Sequence, residues 1–193
     1  DDGDVYLEPH LGSVLIAGSS GIGKSTLATA LTERMAEKHF EFCVFDPEGD
    51  YTELEKAVSV GNPKDAPVAD EALKLLKKIG ANVVVNTQAL EIDERPVFFA
   101  KLLPHISSRR AKTGRPHWLL IDEAHRLAFS AASPTEKLLR EARKFGVGLI
   151  LASQQPEDFS PVAFSNTATK VILNVSDERG TILRQIIRKQ PKT

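Results

Sequence analysis

The chain carries one cysteine, one methionine, one tryptophan and two tyrosines in 193 residues. A lone Cys43 excludes an intramolecular disulfide framework and a cysteine zinc site, which fits a reducing cytoplasm as the expected location. Cys43 falls in the apolar run Phe42-Cys43-Val44-Phe45, where a buried structural thiol is expected. An excess of one charge is also missing. With 25 Lys+Arg against 26 Asp+Glu the net charge is -1, so composition offers no nucleic-acid signature, although a local basic face is compatible with a neutral total. No apolar run approaches the ~18 residues needed to cross a bilayer. The opening Asp1-Asp2-Gly3-Asp4 has neither the basic nor the apolar region of a signal peptide; the expectation is a domain cut from a longer chain. Repeats and low-complexity tracts are absent. The length predicts a single domain over residues 1–193, large enough to bury a core.

Against these absences stands one complete motif. Gly18-Ser19-Ser20-Gly21-Ile22-Gly23-Lys24-Ser25 satisfies G-x-x-x-x-G-K-[ST], the Walker A phosphate-binding loop. The apolar run Val14-Leu15-Ile16-Ala17 feeds it, and a helix-forming run from Leu27 to Lys38 leaves it. In that arrangement backbone N–H groups converge on phosphates while the helix dipole adds positive potential. Gly18, Ser19, Ser20, Gly21, Ile22, Gly23, Lys24, Ser25 and Thr26 are therefore the expected nucleotide-binding residues. Lys24 is expected to reach the β- and γ-phosphates of ATP, and the Ser25 hydroxyl to ligate Mg2+.

Five apolar runs, at 14–17, 41–45, 118–121, 147–152 and 170–175, are short and nearly continuous, as parallel strands covered on both faces require. A sixth, at 82–86, predicts an extra strand near one edge. Helical patterns alternate with them: 68–79 with Gly80 as its C-terminal cap, about 94–110, and one opening at Ser133-Pro134-Thr135-Glu136. The alternation predicts an α/β fold with a doubly wound, mainly parallel sheet and ligands at the carboxyl ends of its strands.

Chemistry gathers at those ends. Trp118-Leu119-Leu120-Ile121-Asp122-Glu123 is an apolar strand ending in two acids, the Walker B form. Asp122 is expected to hold Mg2+ opposite Ser25, and Glu123, beyond the metal, to polarise a water aimed at the γ-phosphate. A kinase, which must exclude water, has less use for that second acid. Farther on, Ser153-Gln154-Gln155-Pro156 follows an apolar strand. If that strand lies between the phosphate-loop strand and the Asp122 strand, Gln154 faces the γ-phosphate, where an amide can bond both phosphate and attacking water. Otherwise it opens an ordinary loop. Asp46-Pro47-Glu48-Gly49-Asp50-Tyr51 is a turn on any reading, and Glu48 is the second candidate for the catalytic base. His125 is expected to hydrogen-bond rather than to catalyse.

Taken together, GSSGIGKS, DPEGDY, LLIDEAH and ARKFGVGLILASQQP resemble the HerA/FtsK superfamily, particularly its HerA-like, DUF87-type ATPase domains. Order and spacing agree from about Val14 through Asp177. The resemblance implies a RecA-like P-loop NTPase core, ATP and Mg2+ as ligands, and a homo-hexameric motor that pumps or processes DNA or drives secretion. It implies catalytic roles for Lys24, Glu123 and Gln154, with Ser25 and Asp122 at the metal. The family's Arg-Lys pair falls on Arg143 and Lys144. Arg143 would then act in trans on a neighbouring subunit's γ-phosphate, a role worth ~10³–10⁵ in rate; the alternative is a solvated cation favoured by a helix end. Two positions depart from the pattern: Ala142 stands for a usual Gly, and Gln155 for a usual Arg.

Basic residues suggest less. Arg109-Arg110, Lys112 and Arg115 form a cluster that in a ring could meet a phosphate backbone, but its place before a strand puts it opposite the nucleotide edge, and a solvated loop is expected. Arg184, Arg188, Lys189 and Lys192 form a second group open to both readings. Three functions follow. The leading one is a Mg2+-dependent ring ATPase that moves DNA, with a nuclease or other effector as a class of partner. A superfamily 2 helicase is suggested by Asp122-Glu123-Ala124-His125, but that class carries a Ser-Ala-Thr motif where this chain has Ser153-Gln154-Gln155. The third is a nucleotide-dependent regulatory switch.

Overall fold

The computed structural model describes residues 12–127, 147–154 and 167–174. Along the chain they form β1 (Ser13–Ala17), α1 (Lys24–Glu37), β2 (Phe42–Asp46), β3 (Ala57–Val60), α2 (Ala69–Leu76) and β4 (Asn82–Asn86). Then come α3 (Glu94–Thr113), β5 (Trp118–Ile121), a 3-10 turn at Ala124–Leu127, β6 (Gly148–Ser153) and β7 (Thr169–Ile172). The strands make one seven-stranded sheet in the order β3-β4-β2-β5-β6-β1-β7. Every pairing is parallel, so all seven carboxyl ends share one edge.

Period-two alternation sends successive side chains to opposite faces, and both faces are covered. Leu15, Cys43, Phe45, Val83, Val85, Leu119, Ile121, Leu149 and Leu151 pack on one side with Ala72 and Leu76 of α2 and Phe99, Leu102 and Ile106 of α3. Phe45 meets Phe99 edge-on, with ring centroids 4.5 Å apart. Val14, Ile16, Phe42, Val44, Val84, Trp118, Leu120, Ile150 and Ala152 pack on the other side with Ala28 and Met35 of α1 and with Tyr51 and Leu54. Cys43 is fully buried, and burial pushes its thiol up to about 12.

The architecture agrees with the expected α/β sheet, with three differences of detail. An edge strand, β3, is added outside β4; only its Val60 is fully buried, Ala57 packs partly against the core, and Val58 is 49% exposed. α2 ends at Leu76 rather than at residue 79, because Ile79 is 80% exposed and has no core to reach. Gly80 instead turns the chain toward β4 and donates its N–H to Glu41 Oε1 at 2.7 Å. β7 ends at Ile172, short of residue 174, and residue 175 of the expected strand lies outside the described residues. The helix expected from Ser133 also lies outside them.

Candidate nucleotide-binding and hydrolytic site

β6 lies between β1 and β5, with Ala17 paired to Ser153 and Ile121 to Leu151. The condition set for Gln154 is thereby met: the loops after β1, β5 and β6 emerge side by side. The loop after β2 joins them, because Asp122 N donates to Phe45 O at 3.1 Å.

The phosphate loop is built for close backbone approach. A Cβ on Gly18 would stand 2.7 Å from Ile22 Cγ2 and 3.1 Å from Leu173 Cβ. Gly23 enters α1 at φ 99, a left-handed conformation that side chains disfavour. Gly23 offers no side-chain cap to α1, and the first turn holds no acid. The free N–H groups and positive dipole of this helix end are thus left for an anion. By contrast, α2 carries Asp70 and Glu71 in its first turn. Lys24 is 5% exposed, and its Nζ donates to Ser19 O at 3.1 Å, which folds the ammonium across the loop.

At the end of β5 the backbone is strained. Glu123 adopts φ 45, which a non-glycine residue rarely holds without compensation. The compensation is local: Asp122 Oδ1 accepts Glu123 N at 2.9 Å, and Arg126 N donates to Glu123 O at 2.9 Å. The Glu123 carboxylate turns toward β6. Gln154 Nε2 donates to Glu123 Oε1 at 2.8 Å, and His125 Nδ1 lies 3.3 Å from Glu123 Oε2 and 3.1 Å from Ser153 Oγ. His125 therefore has the hydrogen-bonding role expected of it.

The acids beneath the cleft are not ordinary. Burial raises Asp122 to about 7; the Glu123 N–H opposes this, and the charges of Glu123, Asp46 and Asp50 reinforce it. Asp46 is fully buried, and burial again raises its pKa. Its carboxylate accepts N–H bonds from Gly49 at 2.7 Å and from Asp50 and Tyr51 at 3.1 Å each. Asp46 thus shapes the turn, and Glu48 is carried out to the cleft rim, where it pairs with Arg126. Arg95 pins the same turn from α3, donating to Leu90 O at 3.1 Å, Pro47 O at 3.3 Å and Gln88 O at 3.4 Å.

These elements enclose a cavity of about 940 Å³, lined by the phosphate loop, Thr26, Thr29, Glu33, Glu48, Asp50, Glu123, Arg126 and Gln154. Asp122 and Tyr51 lie below its surface, 3% and 1% exposed. The volume suits a nucleotide. Among the described residues no three His, Cys, Asp or Glu side chains converge as a metal cage. A hard cation here would take oxygens from Ser25, Asp122 and phosphates, as Mg2+ does. Among the described residues no cation pairs with the buried Asp122 carboxyl, which fits such a metal ion.

Of the expected residues, Ser20, Gly21, Gly23, Lys24, Ser25, Thr26, Glu123 and Gln154 line one cleft, while Asp122 is buried and Gly18, Ser19 and Ile22 belong to the same loop without lining it. Arg143, Lys144, Ala142, Gln155 and the basic group at Arg184, Arg188, Lys189 and Lys192 lie outside the described residues. Arg115 sits at the opposite edge, paired with Glu41 at 3.3 Å at the start of β2. Sequence reasoning missed the Glu48–Arg126 pair, the Arg95 anchor and the burial of Tyr51, none of which leaves a local pattern.

The fold has solved counterparts. The genome packaging NTPase of Sulfolobus turreted icosahedral virus 2, solved in complex with AMPPCP, superimposes with a TM-score of 0.68 at 21% identity, covering 94% of this chain and 82% of that one. VirB4 of Thermoanaerobacter pseudethanolicus gives 0.67 at 11% identity, covering 92% and 81%. Among curated proteins, a probable DNA double-strand break repair helicase HerA of Methanocaldococcus jannaschii is 40% identical over 75 residues, 36% of this chain and 15% of the relative. HerA of Sulfurisphaera tokodaii is 31% identical over 111 residues, 51% of this chain and 22% of the relative. The chain therefore matches less than a quarter of the length of these relatives. The family described as "Helicase HerA, central domain" matches residues 3–144. By that match over most of its length, the chain belongs to the HerA central-domain (DUF87) family of P-loop ATPases.

Proposed function

We propose that this domain hydrolyses ATP with Mg2+ at the cleft between β1, β5 and β6, as one subunit of a ring-shaped motor that moves DNA. The observation that carries the reading is the Gln154–Glu123 hydrogen bond of 2.8 Å at the rim of a cavity floored by the phosphate loop. A base and an amide held together opposite a phosphate cradle are the parts that in-line attack by water requires.

In this reading Lys24 leaves Ser19 O and takes the β- and γ-phosphates, while the N–H groups at the start of α1 hold the anion. Ser25 and Asp122 would hold the divalent cation, which would supply neutralisation of the charge developing on the phosphate oxygens. Glu123 accepts a proton from the attacking water. Gln154 fixes the orientation of the Glu123 carboxylate, whose second oxygen is left without a hydrogen bond among the described residues. Family membership supports the motor and its DNA substrate, and Arg143 is proposed to reach a neighbouring subunit's cleft.

The test is Glu123→Gln beside Glu48→Gln. Glu123→Gln is expected to retain ATP binding and to lose turnover by about 10²–10⁴-fold, the usual worth of a general base. Glu48→Gln is expected to keep turnover within a few-fold; loss in that variant alone would transfer the base role to Glu48. Stimulation of hydrolysis by DNA across a salt series separates the motor from a nucleotide switch, for which DNA changes nothing.

A further inference from the structure

Tyr51 ends the turn that Asp46 shapes. Its ring belongs to the core cluster of Leu54, Phe42, Val44 and Ala28, and the residue is 1% exposed. Its hydroxyl is buried without a hydrogen-bond partner among the described residues. Ser25 approaches it, short of hydrogen-bond geometry, and the carboxylates of Asp122, Asp46 and Asp50 act on it electrostatically. A phenol buried beside three acids is held firmly in its protonated form, with burial the largest cause.

An unbonded buried hydroxyl is destabilising, and phenylalanine would fill the same space without that penalty. The unmet group sits where the β2 turn, the first turn of α1 and the end of β5 meet. A serine that gives a lone pair to a cation must direct its own hydrogen elsewhere, toward an acceptor. Tyr51 offers an oxygen near Ser25, and the acids whose charge bears on it are acceptors for its own proton.

We propose that Tyr51 is a positioning residue for the cation site: its hydroxyl accepts the Ser25 hydrogen when nucleotide and Mg2+ are bound and so aims the Ser25 lone pair at the cation. The inference rests on reading the cleft as a Mg2+-nucleotide site. It makes the 46–51 turn, rather than the phosphate loop alone, a determinant of how strongly the cation tightens nucleotide binding.

The experiment compares wild type and Tyr51→Phe for binding of a fluorescent ATP analogue, in EDTA and across a Mg2+ series, together with thermal unfolding of the ligand-free proteins. In EDTA the two affinities are expected to agree within about twofold. The Mg2+ concentration giving half-maximal tightening is expected to rise about five- to tenfold in the variant, the worth of one hydrogen bond. Ligand-free Tyr51→Phe is expected to unfold at the same temperature or higher, since it loses only an unmet group. An unchanged Mg2+ requirement overturns the inference. So does an equal loss with and without Mg2+, which marks generic support of the loop, and so does a variant that fails to fold, which marks a structural hydroxyl. If wild type itself gains no affinity from Mg2+, the reading of the cleft fails and the inference with it; a normal wild-type gain with Tyr51→Phe unmoved removes the inference alone.

Discussion

Replacing Asp122 with Asn in metal-free, nucleotide-free protein is expected to flatten the dependence of stability on pH. The residue is 3% exposed, and burial raises its carboxyl from 3.8 to about 7. A group whose folded-state pKa lies above its unfolded value contributes stability that is fully present below the unfolded pKa and is lost as pH rises through the folded one. Wild type therefore loses stability between about pH 4 and about pH 7, where the unfolded chain ionises and the folded one resists. From about pH 5 upward roughly two units of that interval remain, equivalent to about 3 kcal/mol. At about 2–4 °C per kcal/mol for a domain of this size, wild type should fall roughly 6–12 °C further than Asp122→Asn between pH 5 and pH 8. Calorimetric unfolding of both proteins in EDTA at the two pH values measures it, and comparing the two differences cancels every group that titrates alike in both. Parallel pH dependences, or a variant that loses more than wild type on going to pH 8, would refute the reasoning by showing the carboxylate already neutralised. Mg2+ with nucleotide should restore the lost stability to wild type and give Asp122→Asn far less.

Two further outcomes probe the core. Phe99→Ala, which removes a fully buried ring stacked edge-on against Phe45, is expected to cost about 3–5 kcal/mol in denaturant unfolding, against a negligible change for a surface alanine. Cys43, fully buried with its thiol near pKa 12, is expected to resist a disulfide reagent in native protein and to react at once in denaturant; rapid native labelling would contradict the packing of β2.

What could be read from the sequence followed from how completely each residue's surroundings were local. β1, β2, β4, β5 and β6 were legible because both faces of each are covered, so nearly every residue is apolar. β3 was not, because an edge strand carries half that signal: of Ala57-Val58-Ser59-Val60, Val60 alone is buried. The phosphate loop was legible because its chemistry is contiguous. Gln154 could be stated only conditionally, since its importance depends on β6 falling beside β1, and strand order is set by tertiary packing. Its bond to Glu123 joins residues 31 apart, and the Glu48–Arg126 pair joins residues 78 apart. Tyr51 read as the end of a turn, because nothing in its neighbours reveals that Ser25 and the charge of Asp122 come to bear on it.

The strand order also sets a timetable for synthesis. Of the described strands β1 is made before the others, yet its two neighbours in the sheet are β6 and β7, drawn from residues 148–153 and 169–172. While β2, β3, β4 and β5 emerge from the ribosome they can pair with one another, but β1 has no edge to join until β6 arrives between it and β5. The nascent domain thus carries its most glycine-rich segment unassembled until nearly the whole described chain exists. Nucleotide capture becomes a late event in the life of the polypeptide, and an arrested chain ending before residue 148 would have a half-sheet and no cradle. Among the described elements, β1 with its phosphate loop is the earliest written and the last to be completed.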